Sequence, residues 1–262
     1  MVSSGLTNSP PLAGRVAVVL GGTTGIGRAL GSGLARAGAD VVASARRRDL
    51  VDAMASEIEA LGRRTLRLPS DVTDRASLQR VLDGALGAFG EVDILVNCAG
   101  KTKRGATLDF SEADWEDILD TNLTGTLRAC QVFGRHMLER GYGRIVNVAS
   151  LTSFVALHEV AAYGASKAGV ASLTKSLAVE WGARGVCVNA IAPGVFRTDL
   201  NAGLLDGTPR GHELLARTPM GRFGRVDELA GAAVFLASEA ASFVNGEIIV
   251  VDGGFLASGV NQ

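Results

Sequence analysis

Short apolar runs alternate with longer amphipathic stretches from Gly14 almost to the end of the chain. The runs at 16–20, 40–45, 64–69, 94–97, 144–148, 186–191 and 247–251 are rich in β-branched residues and Ala, which predicts strands buried on both faces. Between them, apolar residues recur at helical spacing over 26–37, 50–61, 75–89, 115–140, 160–181 and 226–237. Strand-helix alternation of this kind predicts an α/β protein: a Rossmann-type, doubly wound parallel sheet of about seven strands with helices on both faces. No repeat and no low-complexity linker divides the chain, so 13–262 reads as a single domain behind a flexible, proline-ended tail over 1–12. The longest irregular stretch, 193–225, is rich in Gly, Pro and Thr and reads as a lid over the substrate.

The first strand breaks into Gly21-Gly-Thr-Thr-Gly25-Ile-Gly27 and the chain then resumes as a helix. Glycines let a pyrophosphate approach the main chain, and the helix behind them offers unpaired N–H groups and a positive dipole end. Gly21, Thr23, Thr24, Gly25, Ile26 and Gly27 are therefore the candidate phosphate cradle. The gap after Gly21 is one residue wider than in the dinucleotide fingerprint, and no Lys-Ser/Thr follows as a P-loop requires. Where a carboxylate would hold the adenosine ribose of NAD, Ala45 is followed by Arg46-Arg-Arg48. Arg46 suits a 2′-phosphate, so the cofactor expected is NADP, with NAD possible. Asp49 reads as the cap of the next helix. Asp71, after the third run, is either an adenine contact or a helix cap.

Ser150 closes the fifth run, and the helix beyond it carries Tyr163-Gly-Ala-Ser-Lys167. Spacing of i,i+4 sets the phenol and the ammonium on one helix face. A cation within about 4–6 Å favours phenolate and brings a tyrosine toward neutral titration, where it serves as acid and base. Ser150 offers a hydroxyl to hold a substrate oxygen.

These residues resemble the short-chain dehydrogenase/reductase family, from about Gly14 to Phe255. The glycine turn is similar to its cofactor loop, Asn97-Cys-Ala-Gly100 to its Asn-Asn-Ala-Gly, and Pro193-Gly194 to its nicotinamide-side loop. Ser150, Tyr163 and Lys167 match its catalytic triad and Asn122 the fourth member of its tetrad. The resemblance implies that Tyr163 exchanges the proton, that Lys167 lowers its pKa and holds the nicotinamide ribose, and that Asn122 anchors a relay water. It also implies adenine contacts at Asp71 and Val72, adenosine-side contacts at Asn97, Ala99 and Gly100, and nicotinamide-side contacts at Pro193, Gly194, Val195 and Thr198. Two positions depart: Leu20 stands where the family has Thr, and Cys98 where it has a second Asn, which removes polar bracing from two strands. The likeness is greatest to members acting on sugar acids, such as gluconate 5-dehydrogenases. Reductases of 3-oxoacyl groups on acyl carrier protein come next, with Arg128 at a carrier-docking position.

Composition narrows the partners. A net charge of −1 provides no basic face for nucleic acid or anionic lipid. Three cysteines without metal-like spacing and three scattered histidines give no metal signature and suggest reduced thiols. No leader or bilayer-spanning run is visible, so a soluble, cytoplasmic protein is expected. Lys101-Thr-Lys-Arg104 either reads a substrate carboxylate or phosphate or merely keeps a loop soluble. The helix over 160–181 has few charges, which predicts that a second copy covers it, in a homodimer or homotetramer. A nucleotide-binding sensor without turnover remains a different class of function, although it would have no use for a lysine-activated phenol.

Overall fold

The computed structural model describes residues 9–198 and 201–261. One six-stranded sheet, all parallel, runs in the order β2-β1-β3-β4-β5-β6. Its strands are β1 (Val16–Leu20), β2 (Asp40–Ser44), β3 (Ile94–Asn97), β4 (Gly143–Val148), β5 (Val186–Pro193) and β6 (Ile248–Val251). Alternate residues pack against two apolar layers. Ala17, Val19, Ile94, Val96 and Val146 face Leu30, Leu34, Met54, Ile58 and Leu236. Val16, Val18, Leu20, Leu95 and Ile145 face Leu78, Leu82, Phe133, Met137 and Leu177 on the other side. That both layers are dry explains why the strands read as continuous apolar runs.

The helices are α1 (Gly25–Arg36), α2 (Arg48–Ala60), α3 (Arg75–Phe89), α4 (Glu112–Leu119), α5 (Gly125–Arg140), α6 (Ala161–Trp181), α7 (Ala202–Leu205), α8 (Pro209–Ala216) and α9 (Ala230–Ala237). Two differ from expectation. The helical stretch over 115–140 is interrupted by a π-turn at Asp120–Thr124, which separates α4 from α5. The last one opens with a tight turn at Val226–Leu229 before α9.

Six strands, not seven, form the sheet because residues 64–69 run beside β2 without pairing along their length. Backbone bonds form only at the two ends, from the Val41 N–H to the Arg64 carbonyl and from the Ser70 N–H to the Ala45 carbonyl. Between them the chain is held by side chains of β2: Asp40 accepts from the Arg64 N–H at 2.8 Å and the Ser44 hydroxyl donates to the Leu68 carbonyl at 2.5 Å. Pro69 has no N–H to offer a ladder.

Of the stretch expected to be a tail, residues 9–12 are described. Leu12 is fully buried and its N–H bonds the Ala37 carbonyl at 2.9 Å, plugging the space below α1. The rest of the expected tail, 1–8, lies outside the described residues. Residues 193–225 carry α7 and α8, joined to the body through Leu205, Leu214 and Phe223 packed on Leu151 and Phe255. Among the described residues no helix is long and apolar enough to cross a membrane.

Candidate active site

β1 is flanked by β2 and β3, so the connections leaving β1 and β3 diverge and open a crevice at their carboxyl ends. Gly21 sits at its base with φ +77, and a Cβ there would stand 2.5 Å from the Ala99 nitrogen. Gly27 is tighter still: its Cβ would lie 2.0 Å from the Gly21 carbonyl oxygen. Gly25, at φ +49, faces the Thr198 methyl, 3.5 Å from where a Cβ would be. Thr23 is buried, and Ile26 anchors the turn in the apolar layer. Thr24 precedes α1 without a capping hydrogen bond, and the first turn holds no acid. Its N–H groups and positive dipole end thus remain available to an anion.

Arg46 is exposed beyond β2 and makes no ion pair among the described residues, yet its charge reaches Asp71. Burial opposes the Asp71 carboxylate, but bonds from the Thr73 N–H and hydroxyl, with the charges of Arg46 and Lys101, hold its pKa below the ordinary value. The cap of α3 is Asp74, accepting from the Ala76 N–H at 2.9 Å, so the capping alternative for Asp71 falls away. Asp49 is no cap either. α2 already begins at Arg48, which puts Asp49 inside the first turn, where its charge complements the dipole. Val72 packs on Gly125, where a Cβ would come within 2.9 Å of its methyl.

On the other side of the crevice, Ser150 follows β4, and its hydroxyl oxygen accepts from the Thr152 N–H at 3.1 Å. With that lone pair occupied, the hydroxyl proton is left to donate, and it favours the ionised form of Tyr163. Lys167 is 4 % exposed, its Nζ donates to the Val148 carbonyl at 2.6 Å and stands 5.7 Å from the centre of the Tyr163 ring. Triad and crevice therefore meet over one sheet edge. The expected drop in the Tyr163 pKa is not what this state shows. Burial raises the phenol above its ordinary value and outweighs the Ser150 bond, while burial lowers Lys167 to about 8.

Asn122 lies in the π-turn, fully buried. Its Oδ1 accepts from the Lys101 N–H at 2.8 Å, and its Nδ2 donates to the Lys101 carbonyl at 2.9 Å and the Ser166 hydroxyl at 3.0 Å. The side chain thereby locks the segment after β3 to α6, close to Gly100 and the Lys167 ammonium. Single π-turns inside helices frequently mark functional positions. Asn97 behaves differently: it bonds Asn147 at 2.8 Å, and Asn147 bonds Thr174, so Asn97 fastens β3 to β4 and α6 beneath the crevice. Pro193 ends β5, Gly194 lies against Asp252, and Val195 packs in the small apolar layer under α8.

The cations at the mouth are paired. Lys101 bonds Asp117, Lys103 bonds Asp114 at 2.5 Å, and Arg104 bonds Glu159 at 2.6 Å. Glu159 takes the left-handed conformation, φ 64, and its carbonyl accepts from the Gly105 N–H, clamping the loops on either side of the cleft together.

The chain is similar in sequence and fold to known proteins. A family model described as enoyl-(acyl carrier protein) reductase matches residues 21–256. The gluconate 5-dehydrogenase of Gluconobacter oxydans is 42% identical over 250 residues, 94% of this chain and 96% of that protein. The chain belongs to the short-chain dehydrogenase/reductase family. It is accordingly an NAD(P)-dependent oxidoreductase acting on CH–OH groups. The 3-oxoacyl-acyl-carrier-protein reductase of Escherichia coli is 39% identical, covering 92% of this chain and 97% of that enzyme. Among solved structures, a gluconate 5-dehydrogenase from Burkholderia cenocepacia in complex with NADP and tartrate superposes with TM-score 0.90 at 39% identity, covering 94% and 97% of the two chains.

As a short-chain dehydrogenase the chain fits its dinucleotide: the uncapped first turn of α1, the side-chain-free approach at Gly21 and the unpaired Arg46 supply what phosphates require. Its two departures are absorbed locally. Leu20 fills the apolar layer, and β1 is tied to β3 by the Cys98 N–H on the Leu20 carbonyl at 2.9 Å. The Cys98 thiol is pushed up to about 11 by burial and lies near enough to Lys167 to feel its charge. Sequence reasoning missed Ser166, the backbone of Lys101 and the Val148 carbonyl as supports of Asn122 and Lys167. Only Ser166, within the Tyr163–Lys167 stretch, carried any local signal.

Proposed function

We propose that the protein interconverts a secondary alcohol and a ketone on a sugar acid, with NADP(H) as hydride carrier, in the manner of a gluconate 5-dehydrogenase. The observation that carries the reading is the convergence of Ser150, Tyr163 and Lys167 on the crevice above the glycine turn. A bound nicotinamide would supply the hydride acceptor or donor. Tyr163 takes the hydroxyl proton in oxidation and returns it in reduction. Ser150 donates to the substrate oxygen, and Lys167, held by Val148, fixes the ribose. Asn122 positions Lys167 and the chain after β3, and its carbonyl, which accepts from the Thr126 hydroxyl at 2.7 Å, anchors the relay water with its second lone pair. Arg46 receives the 2′-phosphate, Asp71 and Val72 flank adenine, and Asn97, Ala99 and Gly100 line the adenosine side. Pro193, Gly194, Val195 and Thr198 border the nicotinamide, and residues 193–225 close over the substrate.

The sugar-acid reading is favoured over 3-oxoacyl thioesters by the relatives' names and by Arg128. Its side chain is 22% exposed and held by Asp120 at 2.7 Å, a poor docking point for a carrier. The outer face of α6 (Ala161, Ala165, Ala168, Ser172, Val179) is exposed with only Lys175 and Glu180 as exposed charges on that helix, and Phe243 and Val260 are exposed apolar residues outside it. Both support a homotetramer, or a dimer if only α6 is covered; a monomer by light scattering at micromolar concentration would reject both.

The test is turnover of D-gluconate, acetoacetyl thioester and simple ketones by wild type and Tyr163→Phe, each with NADPH-linked and NADH-linked assays. Tyr163→Phe should lose roughly 10²–10⁴-fold in kcat while still binding NADPH, read by its fluorescence. Retained turnover removes the phenol from the reaction. Use of thioesters but not gluconate moves the substrate to the acyl class, and turnover confined to NADH takes the 2′-phosphate away from Arg46.

A further inference from the structure

Most cations of 101–104 and of the segment after β5 are paired with acids. The lysines and arginine of 101–104 are all held by acids, and in the segment after β5 Arg197 bonds Asp206 while Arg222 and Arg225 bond Glu228. Among the described residues of these two segments, only Arg210 and Arg217 have no carboxylate partner, and Arg217 lies over the Phe255 ring at 5.2 Å.

Arg210 projects from α8 and donates through Nη1 to the His158 carbonyl at 3.3 Å, in the loop that leads into the Tyr163 helix. The side chain thereby ties α8 to that loop while staying partly exposed, with one of its donors engaged by a neutral carbonyl. Glu213, one turn further along α8, makes no pair with it. A guanidinium presents five donors in a planar fork that matches a carboxylate bidentately. The neighbouring cations would first have to be stripped from their acids to do the same.

We infer that Arg210 is the residue that recognises the carboxylate of the substrate, anchoring the end of the sugar acid remote from the carbon oxidised at Tyr163. This rests on the sugar-acid reading above and names the group that makes it specific. Charge-assisted bonds of this kind are worth about 1.5–3 kcal/mol, or roughly 10- to 100-fold in affinity. Ground-state anchoring away from the reacting carbon acts on KM more than on kcat.

The experiment compares wild type, Arg210→Gln and Arg210→Lys on D-gluconate and on D-glucitol, its neutral counterpart. Arg210→Gln should raise KM for gluconate about 10- to 100-fold with kcat held within about threefold. The preference for gluconate over glucitol should fall by a similar factor, and Arg210→Lys should recover part of the loss because charge remains without the fork. A gluconate KM within twofold of wild type overturns the inference. So does an equal loss on both compounds, which would make Arg210 a strut between α8 and the His158 loop. A wild type that oxidises no sugar acid overturns the functional reading itself, and the inference with it.

Discussion

The crevice over β1 and β3 and the mouth beside α4 and α8 belong to one cleft but are built from different material. Around Gly21 and Gly27 the shape is set by backbone in contact with backbone, with no room for a Cβ. Around Lys101, Lys103 and Arg104 it is set by long, exposed side chains tied to acids across short loops. A dinucleotide binds the same way whatever is oxidised, so its half can be cast in the main chain. A substrate half has to vary with the substrate, and side chains on loops vary cheaply.

Gly27→Ala tests the first half most severely. Its Cβ would meet a carbonyl oxygen that belongs to the turn itself, which no rotamer change relieves. The variant should lose about 3 kcal/mol of stability or more and bind NADPH at least about 100-fold more weakly. Thermal melts and NADPH fluorescence titration measure both. A variant that binds and melts as wild type would mean the turn yields easily, and the contrast with the mouth would vanish.

Lys167 stands between the two regions and supplies the next largest effect. Burial lowers its pKa to about 8 from the ordinary lysine value of 10.5. Below about 8 both folded and unfolded chains hold the proton, and the cost of burying the ammonium is borne in full. Between about 8 and 10.5 the folded chain binds fewer protons than the unfolded, so raising pH stabilises it, by on the order of 3 kcal/mol from this group. Lys167→Met lacks this contribution. Its stability advantage over wild type, from urea midpoints, should therefore be largest near pH 7 and shrink by about that amount toward pH 10. An advantage independent of pH would show that the ammonium is solvated through the cleft.

The same contrast governs what could be read in the sequence. The glycine turn, the strand-end Ser150 and the Tyr163–Lys167 pair were legible because each obeys a short-range rule: φ, approach distance, helical spacing. The seventh strand was not, because residues 64–69 have strand composition while Asp40 and Ser44 take over bonds that a ladder would make. The π-turn was hidden for a related reason. Nothing in Asp120-Thr-Asn-Leu-Thr124 breaks helical periodicity, and what holds Asn122 in place comes from Lys101 and Ser166, distant in sequence. The phenol's pKa was misjudged because spacing gives the distance to Lys167 but not the burial that opposes it. At the mouth, a run of cations carries no record of the acids at 114, 117 and 159 that fold against it.

The smallest effect expected here is also the sharpest on the comparison. Lys103 is 58% exposed and its partner Asp114 is 33% exposed, and such pairs contribute little once solvent screens them. Lys103→Ala should leave KM for gluconate within about twofold and the melting temperature within about a degree. Set beside Arg210→Gln, which is of like charge change on the facing wall, this separates a cation already neutralised by its own protein from one held in reserve. A tenfold rise in KM for Lys103→Ala would mean that the Asp114 pair opens to admit the carboxylate. Substrate charge would then be read by the whole mouth in concert, and its ion pairs would have to be counted as part of the binding site.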